Sequence, residues 1–585
     1  MKYSLISDTY EKIEATSKRL EMTDHLVDLF NKTPNELIDK VIYLTQGKLY
    51  PDYKGVELGL AEKLTLKAIN IGSGRSSNEV QRIYKETGDL GKTAERILSK
   101  KTQLSLLKES LTVEKVYHTF DKIAHSTGAG AIETKVRLLV SLFNNAIPSE
   151  AKYIARMAVG KLRLGIADMT ILDALTIAYV GEKDTKKDLE RGYDITSDLG
   201  YLARTVAFDG IKGVNNIKVT VGRPIRPMLA ERLSDPKEIL DKLGGEGSVE
   251  YKYDGLRIQA HIDTNKVNLF SRRLENITDQ FPDIVDSLKN SIKVKAIVEG
   301  ECVAVNPNTG EALPFQMISQ RRGRKYEIKR VVEEIPVMLF LFDLLFFSRN
   351  DCTLSPYLKR RKKLKEIVKE NERIKISWQH ITKKPDEIDK FMDKATSDGC
   401  EGLMIKSVDS DSIYKAGARG WAWIKYKRGY KAEMADTVDL VVVGAFYGRG
   451  KRAGQYGAFL LAAYDNEEDI FKTVCKCGTG FTDEDLKDLL KKLNPYLIGH
   501  KHPRVDSKLD PDVWLNPSLV LEVMGDEITL SPIHTACMST IRAESGLAIR
   551  FPRFTGNYRT DKSAEDATST KEILEMYRKQ LKKLS

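Results

Sequence analysis

The sequence predicts a multidomain protein in which an all-α region, an α+β region and a small β-barrel follow one another. Three observations lead to this architecture. A chain of 585 residues is too long for one hydrophobic core. Helical periodicity dominates the first part, and strand-like and helical patterns alternate in the second. Short apolar runs between glycine turns follow, which is typical of small barrels. We therefore expect domains at 1–215, 216–430 and 431–585.

The first region carries recognisable helix start signals. Thr33-Pro34-Asn35-Glu36 predicts a capping box with proline at the first helical position, and Asp8 with Glu11 predicts an earlier helix start of the same kind. The helical spacing of apolar residues continues through 135–143 and 149–159. No internal repeat of fixed period stands out in this region, which argues against a solenoid.

A glycine-bounded basic loop interrupts these helices. Residues 160–165 read Gly-Lys-Leu-Arg-Leu-Gly and offer backbone amides together with the cations Lys161 and Arg163. Such a loop could bind phosphates. The alternative is a helix–helix turn with solvated basic side chains.

A change from helical to extended patterns marks the second region. Pro224 and Pro227 exclude a helix at the boundary. Lys252 then ends a strand-like run directly before an Asp-Gly turn, and apolar and polar residues alternate through 256–262 as in a half-buried strand. We expect Lys252 to point into a pocket at the turn, with a solvated surface lysine as the alternative.

A nucleophilic lysine needs help to lose its proton. Its ordinary pKa of about 10.4 leaves only a small neutral fraction at pH 7, so other cations or a metal must lower that pKa. Lys425 and Lys427 are one residue apart and so lie on the same face of a strand. They could lower the pKa of Lys252 and neutralise a departing pyrophosphate, although an edge-strand lysine pair is the alternative.

Two acidic segments could hold a metal. Glu301 lies in 298–303 and Glu401 in 400–406, and each stands beside a glycine within an apolar run, where an unpaired charge is costly. Oxygen ligands suit a metal that accompanies a triphosphate. A salt bridge at a strand end is the alternative for either segment.

A nucleobase needs an apolar face and a hydrogen-bond partner. Phe342 and Asp343 stand side by side in the apolar block 337–347, although most such phenylalanines are core residues. Arg272 could bind a phosphate in a bidentate manner.

The order and spacing of these pieces resemble motifs I, Ia, III, IIIa, IV and V of the covalent nucleotidyltransferases. The matching residues are Lys252-x-Asp-Gly-x-Arg257, Ser271-Arg272, Glu301, Phe342-Asp343, Glu401-Gly402 and Lys425-x-Lys427. Residues 513–536 are similar to the barrel segment of DNA ligases, 550–562 to their motif VI, and 160–174 to their helical DNA-binding domain. The whole chain thus resembles the ATP-dependent DNA ligases of the archaeal and eukaryotic replicative type.

This resemblance implies a fold and an activity. The fold would comprise an all-α DNA-binding domain, an α+β nucleotidyltransferase (adenylation) domain, and an OB-fold β-barrel with a C-terminal basic helix. The enzyme would seal nicks in double-stranded DNA through a lysyl-AMP intermediate and DNA-adenylate, in replication, repair and recombination. Its cofactors would be ATP and a divalent metal, Mg²⁺ with Mn²⁺ as the alternative.

The resemblance also implies residue roles. Lys252 would be the catalytic nucleophile, Glu250 would bind the adenine amino group, and Phe342 would stack on the base. The full nucleotide-binding set would be Glu250, Arg257, Arg272, Glu301, Phe342, Lys425, Lys427, Arg559 and Lys562, with Arg559 and Lys562 orienting pyrophosphate. Metal ligands would be Glu301 and Glu401, and DNA would contact Lys161, Arg163 and Arg272.

Composition agrees with a polyanionic partner. Lys and Arg number 94 against 83 Asp and Glu, a net charge of +11 that favours nucleic acid without requiring it. No run of 18 or more uncharged apolar residues and no signal peptide are visible, so we expect no membrane contact. Six scattered cysteines fit a reducing compartment, either the cytoplasm in association with the nucleoid or the nucleus. We expect a monomer.

Three alternatives stay open at this point. An RNA ligase or a capping-type nucleotidyltransferase shares the central motifs, although Glu250 and the helical first 215 residues argue against it. A non-catalytic DNA-binding protein is the other class, but none of the candidate catalytic residues is missing. Residues 103–107, Gln-Leu-Ser-Leu-Leu, faintly resemble a sliding-clamp-binding peptide without its aromatic pair, and a packed amphipathic helix is the alternative.

Overall fold

The computed structural model describes most of the chain, in two compact units. The described residues are 1–99, 109–181, 185–264, 266–305, 313, 315–321, 323–324, 326–398, 400–427, 436–448, 454–525, 527–541, 543–550 and 552–582. The first unit comprises Met1–Val80 and Ala94–Arg428, and the second comprises Gln81–Thr93 and Gly429–Ser585. The segment 103–107, which resembles a clamp-binding peptide, lies outside the described residues.

Helices form the amino-terminal part of the chain, as its periodicity predicts. They are α1 Ser4–Glu14, α2 Arg19–Asn31, α3 Ile38–Thr45, α4 Glu62–Ser73, α5 Ser77–Thr87, α6 Leu90–Leu98, α7 Val113–His125, α8 Ala131–Asn145, α9 Pro148–Ala158, α10 Asp168–Tyr179, α11 Lys186–Thr196 and α12 Leu199–Asn215. Among the described residues, none of the helices is long and apolar enough to cross a membrane.

Two predicted helix starts are wrong in detail. The first helix already begins at Ser4, so Asp8 lies within it. Thr33 does not cap a helix, because its hydroxyl donates to the Leu29 carbonyl (2.7 Å) and a 3₁₀ turn over Asn35–Leu37 precedes α3. A threonine hydroxyl can accept from a following amide or donate to a preceding carbonyl, and here it donates to a carbonyl at the end of α2.

Strands and helices alternate in the middle of the chain. They are β1 Leu229–Arg232, α13 Pro236–Lys242, β2 Gly247–Lys252, β3 Leu256–Asp263, β4 Lys266–Ser271, α14 Pro282–Ser291, β5 Ala296–Ala304, α15 Phe315–Ser319, α16 Ile328–Glu334, β6 Val337–Phe347, β7 Asn350–Asp351, α17 Tyr357–Ile367, β8 Ile374–Ile376, β9 Gln379–Thr382, α18 Pro385–Ser397, β10 Gly402–Ser407 and β11 Arg419–Lys427.

These strands form two sheets. One has the order β1-β11-β10-β2-β9, and the other has the order β4-β3-β5-β6-β7 with β8 beside β6. Helix α13 packs its apolar residues on the first sheet, and helices α14 and α17 pack on the second. Strand β3 is buried on both faces, not half-buried as its alternation predicts, because its polar residues Gln259 and His261 are also inside. Buried polar side chains of this kind need partners, and these two bond to each other (2.9 Å).

The second unit is built on a sheet of short strands. Its elements are β12 Val438–Tyr447, β13 Tyr456–Asp465, β14 Ile470–Cys477, α19 Asp483–Leu493, β15 Leu497–Ile498, β16 Val505–Asp506, β17 Val513–Leu515, β18 Val520–Met524, β19 Glu527–Ser531, β20 Gly546–Arg550, β21 Arg553–Tyr558 and α20 Thr570–Lys582. The main sheet has the order β15-β17-β12-β13-β14-β16, with β18 pairing to β12 and β21. Helices α19 and α20 cover its apolar core, so the expected basic carboxy-terminal helix is present at α20.

Candidate active site

A cavity of about 370 Å³ opens in the first unit beside the end of β2. Strands of both sheets contribute to its wall, so residues from distant parts of the chain meet there. Of the residues expected from the sequence, those that line it are Glu250, Lys252, Arg257, Arg272, Glu301, Phe342, Lys425 and Lys427. Lys252 therefore points into a pocket, as expected from its position before the turn.

Glu401 joins two lysines at this cavity. Lys252 donates to one of its carboxylate oxygens and Lys427 to the other. Sheet register explains the arrangement, since β10 lies between β2 and β11 and its Gly402 is opposite Lys252 on one side and Lys427 on the other. Gly402 has a φ of +147°, and a Cβ there would lie 2.4 Å from the Tyr426 carbonyl oxygen. Only glycine lets the strands approach closely enough to share one carboxylate.

Further cations surround the same end of the cavity. Partial burial lowers the pKa of Lys425, and the neighbouring cations Arg419, Lys252, Arg272 and Arg232 lower it further. Arg272 is exposed and lines the cavity from the end of β4. At this end of the cavity the cations Lys252, Arg272, Lys425 and Lys427 outnumber the carboxylates of Glu301 and Glu401. Such an excess of positive charge favours an anionic ligand such as a phosphate chain.

Glu301 lies at the wall of the cavity, on β5 opposite Arg257 of β3. Burial raises the pKa of its carboxyl to about 7, against the lowering effect of Lys252 and Arg257. Its carboxyl has no hydrogen-bond partner among the described residues. A carboxylate that is desolvated without a protein partner is a suitable ligand for a divalent metal.

Glu401, the second candidate metal ligand, is already paired with two lysines. Both oxygens of Glu401 accept from lysines, so it fits a metal less well in this arrangement. Across the described part of the chain, His, Cys, Asp and Glu do not form a cluster of three or more that could hold an ion. A metal here would therefore need ligand oxygens from a bound nucleotide as well as Glu301.

Glu250 is fixed by three donors. Tyr357 donates its hydroxyl proton to one carboxylate oxygen, and Ser377 (3.1 Å) and Lys406 (3.0 Å) donate to the other. The side chains of Glu250 and Lys406 are only 2% and 1% exposed, so this is a buried ion pair. The carboxylate can still accept a further hydrogen bond from a ligand in the cavity.

Phe342 lies among cations and a second ring. Its ring centroid is 4.8 Å from Lys406 Nζ and 5.5 Å from Arg257 Cζ, and Trp423 packs edge-on against it (6.1 Å). Arg257 is held by Glu299, with Nη2 donating to a carboxylate oxygen over 2.8 Å. A planar apolar face in a cavity is suited to stacking on a heterocycle.

The hypothesis that Asp343 is a hydrogen-bond partner for a nucleobase is wrong. Asp343 does not face the cavity, because it is fully buried and forms a two-bond ion pair with Arg360 (2.8 and 3.0 Å). Strand alternation places Asp343 on the opposite face from Phe342. It stabilises the fold beneath the site and does not bind a base.

Sequence reasoning missed most of the groups that support Glu250. Lys406 stands in the same apolar run as Glu401 and carries a local signal, since an apolar strand that contains a lysine must pair it. Tyr357 begins α17 and Ser377 follows β8, and neither has a local pattern that marks it. Their role appears only when these elements pack against β2.

A second cavity, of about 730 Å³, lies in the helical part around the loop 160–165. Leu162 and Leu164 are buried and anchor the loop, while Lys161 and Arg163 are exposed and line the cavity. Arg163 has a φ of +61°, in the left-handed region that residues other than glycine adopt infrequently. The structure thus gives the loop a basic outer surface.

Arg559 and Lys562 of the predicted motif VI share an anion within the second unit. Arg559 Nη1 and Lys562 Nζ each lie 2.7 Å from an oxygen of Asp439. Arg559 also pairs with Asp561 (2.8 Å). Their assignment to pyrophosphate stays a prediction.

Comparisons with known proteins cover the whole chain. Family models described as DNA ligase N terminus, ATP dependent DNA ligase domain, and ATP dependent DNA ligase C terminal region match residues 2–176, 227–427 and 452–562. The sequence is 54% identical to DNA ligase 2 of Thermofilum pendens over 588 residues, with 99% of this chain and 98% of the relative covered. It is 51% identical to the DNA ligase of Staphylothermus marinus over 598 residues, with 100% of both covered.

The fold also matches solved structures. One named Pmar-Lig_Pre. has a TM-score of 0.52 and 18% identity, with 95% of this chain and 99% of that chain covered. Another, named Pmar-Lig_PreS3, has a TM-score of 0.51 at 17% identity over the same shares. At this identity the likeness concerns the fold alone.

Proposed function

The chain belongs to the ATP-dependent DNA ligase family, and from that premise we propose that Lys252 is the residue that carries AMP. As a member of this family the enzyme joins DNA at nicks, with ATP and a divalent metal. The family match over residues 2–176 and the full-length relatives favour this over an RNA ligase, a capping enzyme or a non-catalytic DNA-binding protein.

One observation carries the assignment of Lys252. Its amine opens into a cavity that also holds Phe342 and Glu250 for a base and Lys425 and Lys427 for phosphates. A nucleotide that fills this cavity has groups for its ring and its phosphates on either side of the amine. This placement supports attack on the α-phosphorus, because the reacting atoms would be brought together by binding.

The first step forms the lysyl-AMP bond. Lys252 Nζ loses a proton to Glu401, with which it is already hydrogen bonded, and its electron pair forms a bond to the α-phosphorus. The bond from that phosphorus to the bridging oxygen of pyrophosphate breaks, and pyrophosphate leaves with the electrons. Lys425 and Lys427 stabilise the negative charge of the leaving group.

The next two steps use the same phosphorus chemistry on DNA. A 5′-phosphate oxygen at the nick attacks the phosphorus of AMP, the bond from that phosphorus to Lys252 Nζ breaks, and the departing amine takes back the proton from Glu401. The 3′-hydroxyl then attacks the 5′-phosphorus, loses its proton and displaces AMP. Each step is an in-line transfer for which the protein chiefly supplies position and positive charge.

A divalent metal, which we propose is Mg²⁺ with Mn²⁺ as a substitute, would be held by Glu301 together with phosphate oxygens. When bound it would neutralise charge on the phosphates. Glu401 is the second predicted ligand, and it would have to be released from Lys252 and Lys427 to take part. Glu301 itself is ready for this role, since its carboxyl has no hydrogen-bond partner within the described parts of the chain.

Base and sugar contacts follow from the other end of the cavity. Glu250 would accept from the adenine amino group while Phe342 stacks on the ring. Arg257 and Arg272 would contact ribose or phosphate, and the exposed Arg272 is also suited to the nick 5′-phosphate.

Duplex DNA needs contacts beyond this cavity. We propose that the helical domain binds the phosphate backbone, with Lys161 and Arg163 on the outer surface of the loop 160–165. The OB-fold-type domain would bring Arg559 and Lys562 to pyrophosphate. A monomer, a location in the cytoplasm with the nucleoid or in a nucleus, and a clamp contact through residues 103–107 are proposals that rest on the sequence alone.

The test is transfer of labelled AMP from ATP to the protein. Lys252→Ala and Lys252→Arg should both form no adduct, since arginine keeps the charge but not the nucleophile. Lys266→Ala, at an exposed lysine that begins β4, is the matched control and should label like the wild type. An adduct in Lys252→Ala would overturn the assignment, and sealing of pre-adenylated nicks by the same variant would show that the fold and the third step are intact.

A further inference from the structure

The hydroxyl of Tyr414 is a junction of three buried groups near the nucleotide cavity. It accepts from the Met228 amide (2.9 Å) and from Arg257 Nη2 (3.2 Å), and it donates to Glu299 (2.8 Å). The residue is 1% exposed. One hydroxyl has one proton and two acceptor positions, so its hydrogen-bonding capacity is used completely.

Arg257 is the partner that reaches the cavity. Its Nη1 donates to the Met228 carbonyl (2.7 Å) and its Nη2 to Glu299 (2.8 Å), so Met228, Glu299 and the Tyr414 hydroxyl surround its outer end. Its Nε, by contrast, is buried and has no hydrogen-bond partner among the described residues. The guanidinium is thus fixed by its Nη atoms, and the Arg257 side chain lines the cavity.

Rings limit how the guanidinium can turn. Arg257 Cζ lies 5.5 Å from the ring centroids of both Phe342 and Trp423. Trp423 also packs edge-on against the Tyr414 ring (5.9 Å). The plane of Arg257 is therefore set by rings, and its rotation within that plane is set by hydrogen bonds.

We propose that Tyr414 is a positioning residue for the nucleotide cavity, whose hydroxyl holds the Arg257 guanidinium in a fixed orientation in the cavity wall. The proposal rests on the proposed function, because it requires that the cavity of Lys252 binds ATP. It concerns a group that touches neither ATP nor the reacting atoms. Tyr414 acts through Arg257.

The junction also includes the chain segment that leads from the helical part into β1. Gly222 donates its amide proton to His261 Nδ1 (2.9 Å), and Ile225 exchanges two hydrogen bonds with the Gln259 side chain (2.7 and 3.0 Å). Met228, at the end of this segment, takes part through both its amide and its carbonyl. Arg257 is thus anchored to a segment that is itself fixed to β3.

Replacing Tyr414 by phenylalanine would keep the ring and remove the hydroxyl with its three hydrogen bonds. In Tyr414→Phe the Met228 amide and one hydrogen of Arg257 Nη2 lose their acceptor, and Glu299 loses a donor. Arg257 keeps its charge and its pair with Glu299, but its orientation is less restricted. Ground-state binding of ATP should weaken more than the chemical step, since a mobile contact lowers affinity first.

The main measurement is the initial rate of protein adenylation against ATP concentration. We expect Tyr414→Phe to raise KM for ATP roughly tenfold, with kcat changed less than threefold. Tyr10→Phe is the matched control, because Tyr10 is also fully buried and its hydroxyl makes one bond, to Thr45 (3.0 Å), within the helical part. A KM for Tyr414→Phe within twofold of the Tyr10→Phe value overturns the proposal.

A double-mutant cycle separates positioning from general packing. Arg257→Lys removes the Nη atoms on which Tyr414 acts, so adding Tyr414→Phe to it should raise KM by less than twofold. Two independent effects that multiply would mean that Tyr414 does not act through Arg257, and would overturn the proposal. Replacing Tyr414 by 4-aminophenylalanine restores a donor to Glu299 but offers Arg257 Nη2 only a poor acceptor, so KM should stay close to the Tyr414→Phe value. A return to the wild-type KM would overturn the proposal.

A second variant keeps the proposal testable if Tyr414→Phe does not fold. Should Tyr414→Phe not fold, the 4-aminophenylalanine variant, which also lacks the hydroxyl acceptor for Arg257 Nη2, takes its place in the cycle with Arg257→Lys, and multiplying effects there overturn the proposal. The Lys252 variants test the proposed function separately. If they abolish the adduct while Tyr414→Phe leaves KM unchanged, the positioning role fails and the proposed function stands.

Discussion

The two ends of the cavity around Lys252 differ in how completely their charges are paired. The end that we propose binds the base, called the base end, consists of Glu250 with its donors Tyr357, Ser377 and Lys406. The end that we propose binds the phosphates, called the phosphate end, consists of Lys252, Arg272, Glu301, Glu401, Lys425 and Lys427. At the base end the carboxylate has three donors, whereas at the phosphate end cations outnumber the carboxylates.

This difference follows from what each end would bind. An adenine ring is neutral, so a site for it can be complete before the ligand arrives and can be buried in the fold. A triphosphate carries several negative charges, so its site must hold positive charge that the protein itself leaves unneutralised. We therefore expect substitutions at the base end to cost stability and substitutions at the phosphate end to cost activity.

The largest expected effect is at the base end. Lys406→Met keeps the length of the side chain but leaves the buried Glu250 carboxylate without its cation, and should destabilise the protein by about 3–5 kcal/mol. Unfolding in urea measures this, with Lys266→Met at an exposed position as the control. A loss below about 1 kcal/mol would mean that the base end does not depend on the ion pair.

The phosphate end should show the opposite behaviour. Lys425→Ala should slow protein adenylation about 10²-fold, as loss of one charged group at a developing anion commonly does, while stability changes by no more than about 0.5 kcal/mol. Single-turnover labelling with AMP and urea unfolding test the two parts, with the exposed Lys359→Ala as control. A variant with lowered stability and unchanged adenylation would reverse the comparison.

The pH dependence of metal binding should follow Glu301. With its pKa raised to about 7 by burial, the carboxyl is about one-tenth ionised at pH 6 and about nine-tenths at pH 8, so Mg²⁺-dependent ATP binding should strengthen by up to about tenfold over this range. Calorimetric titration at each pH measures it. Glu301→Gln should remove the dependence, and a pH profile shared by wild type and variant would exclude Glu301 as the source.

The raised pKa of Glu301 also makes the stability of the folded protein depend on pH. Because the folded state holds this proton at pH values where the unfolded state has lost it, the contribution of Glu301 to stability falls as pH rises from the ordinary carboxyl pKa to about 7. Unfolding without nucleotide or metal, compared between the wild type and Glu301→Gln, should show this trend only in the wild type.

The smallest effect sharpens the comparison within the base end. Ser377→Ala removes one neutral donor from Glu250, whose oxygen keeps Lys406, and should cost about 1 kcal/mol of stability. Ser141→Ala, whose exposed hydroxyl bonds only a helix carbonyl, should cost less. If Ser377→Ala matched Lys406→Met in cost, the charge of Lys406 would not be the dominant interaction.

The sequence by itself determined the kinds of element and the chemistry that could occur on them. A period-two pattern located β3, a strand-like run located β2, and helical spacing located α3, α8 and α9. The spacing of Lys425 and Lys427 was enough to place both on one strand face, and both line the cavity. Such local properties follow from backbone geometry, which repeats over a few residues.

Only the tertiary structure decided which groups pair. Glu401 is 149 residues from Lys252 in sequence, and they meet because β10 pairs with β2. Tyr357 and Ser377 are 107 and 127 residues from Glu250 and carry no local signal for their role. Asp343 looked like a base partner from its neighbour Phe342, yet it lies on the other face with Arg360. Register and packing between distant segments set these contacts, because a local pattern fixes the face of a side chain but not the element that comes to lie against it.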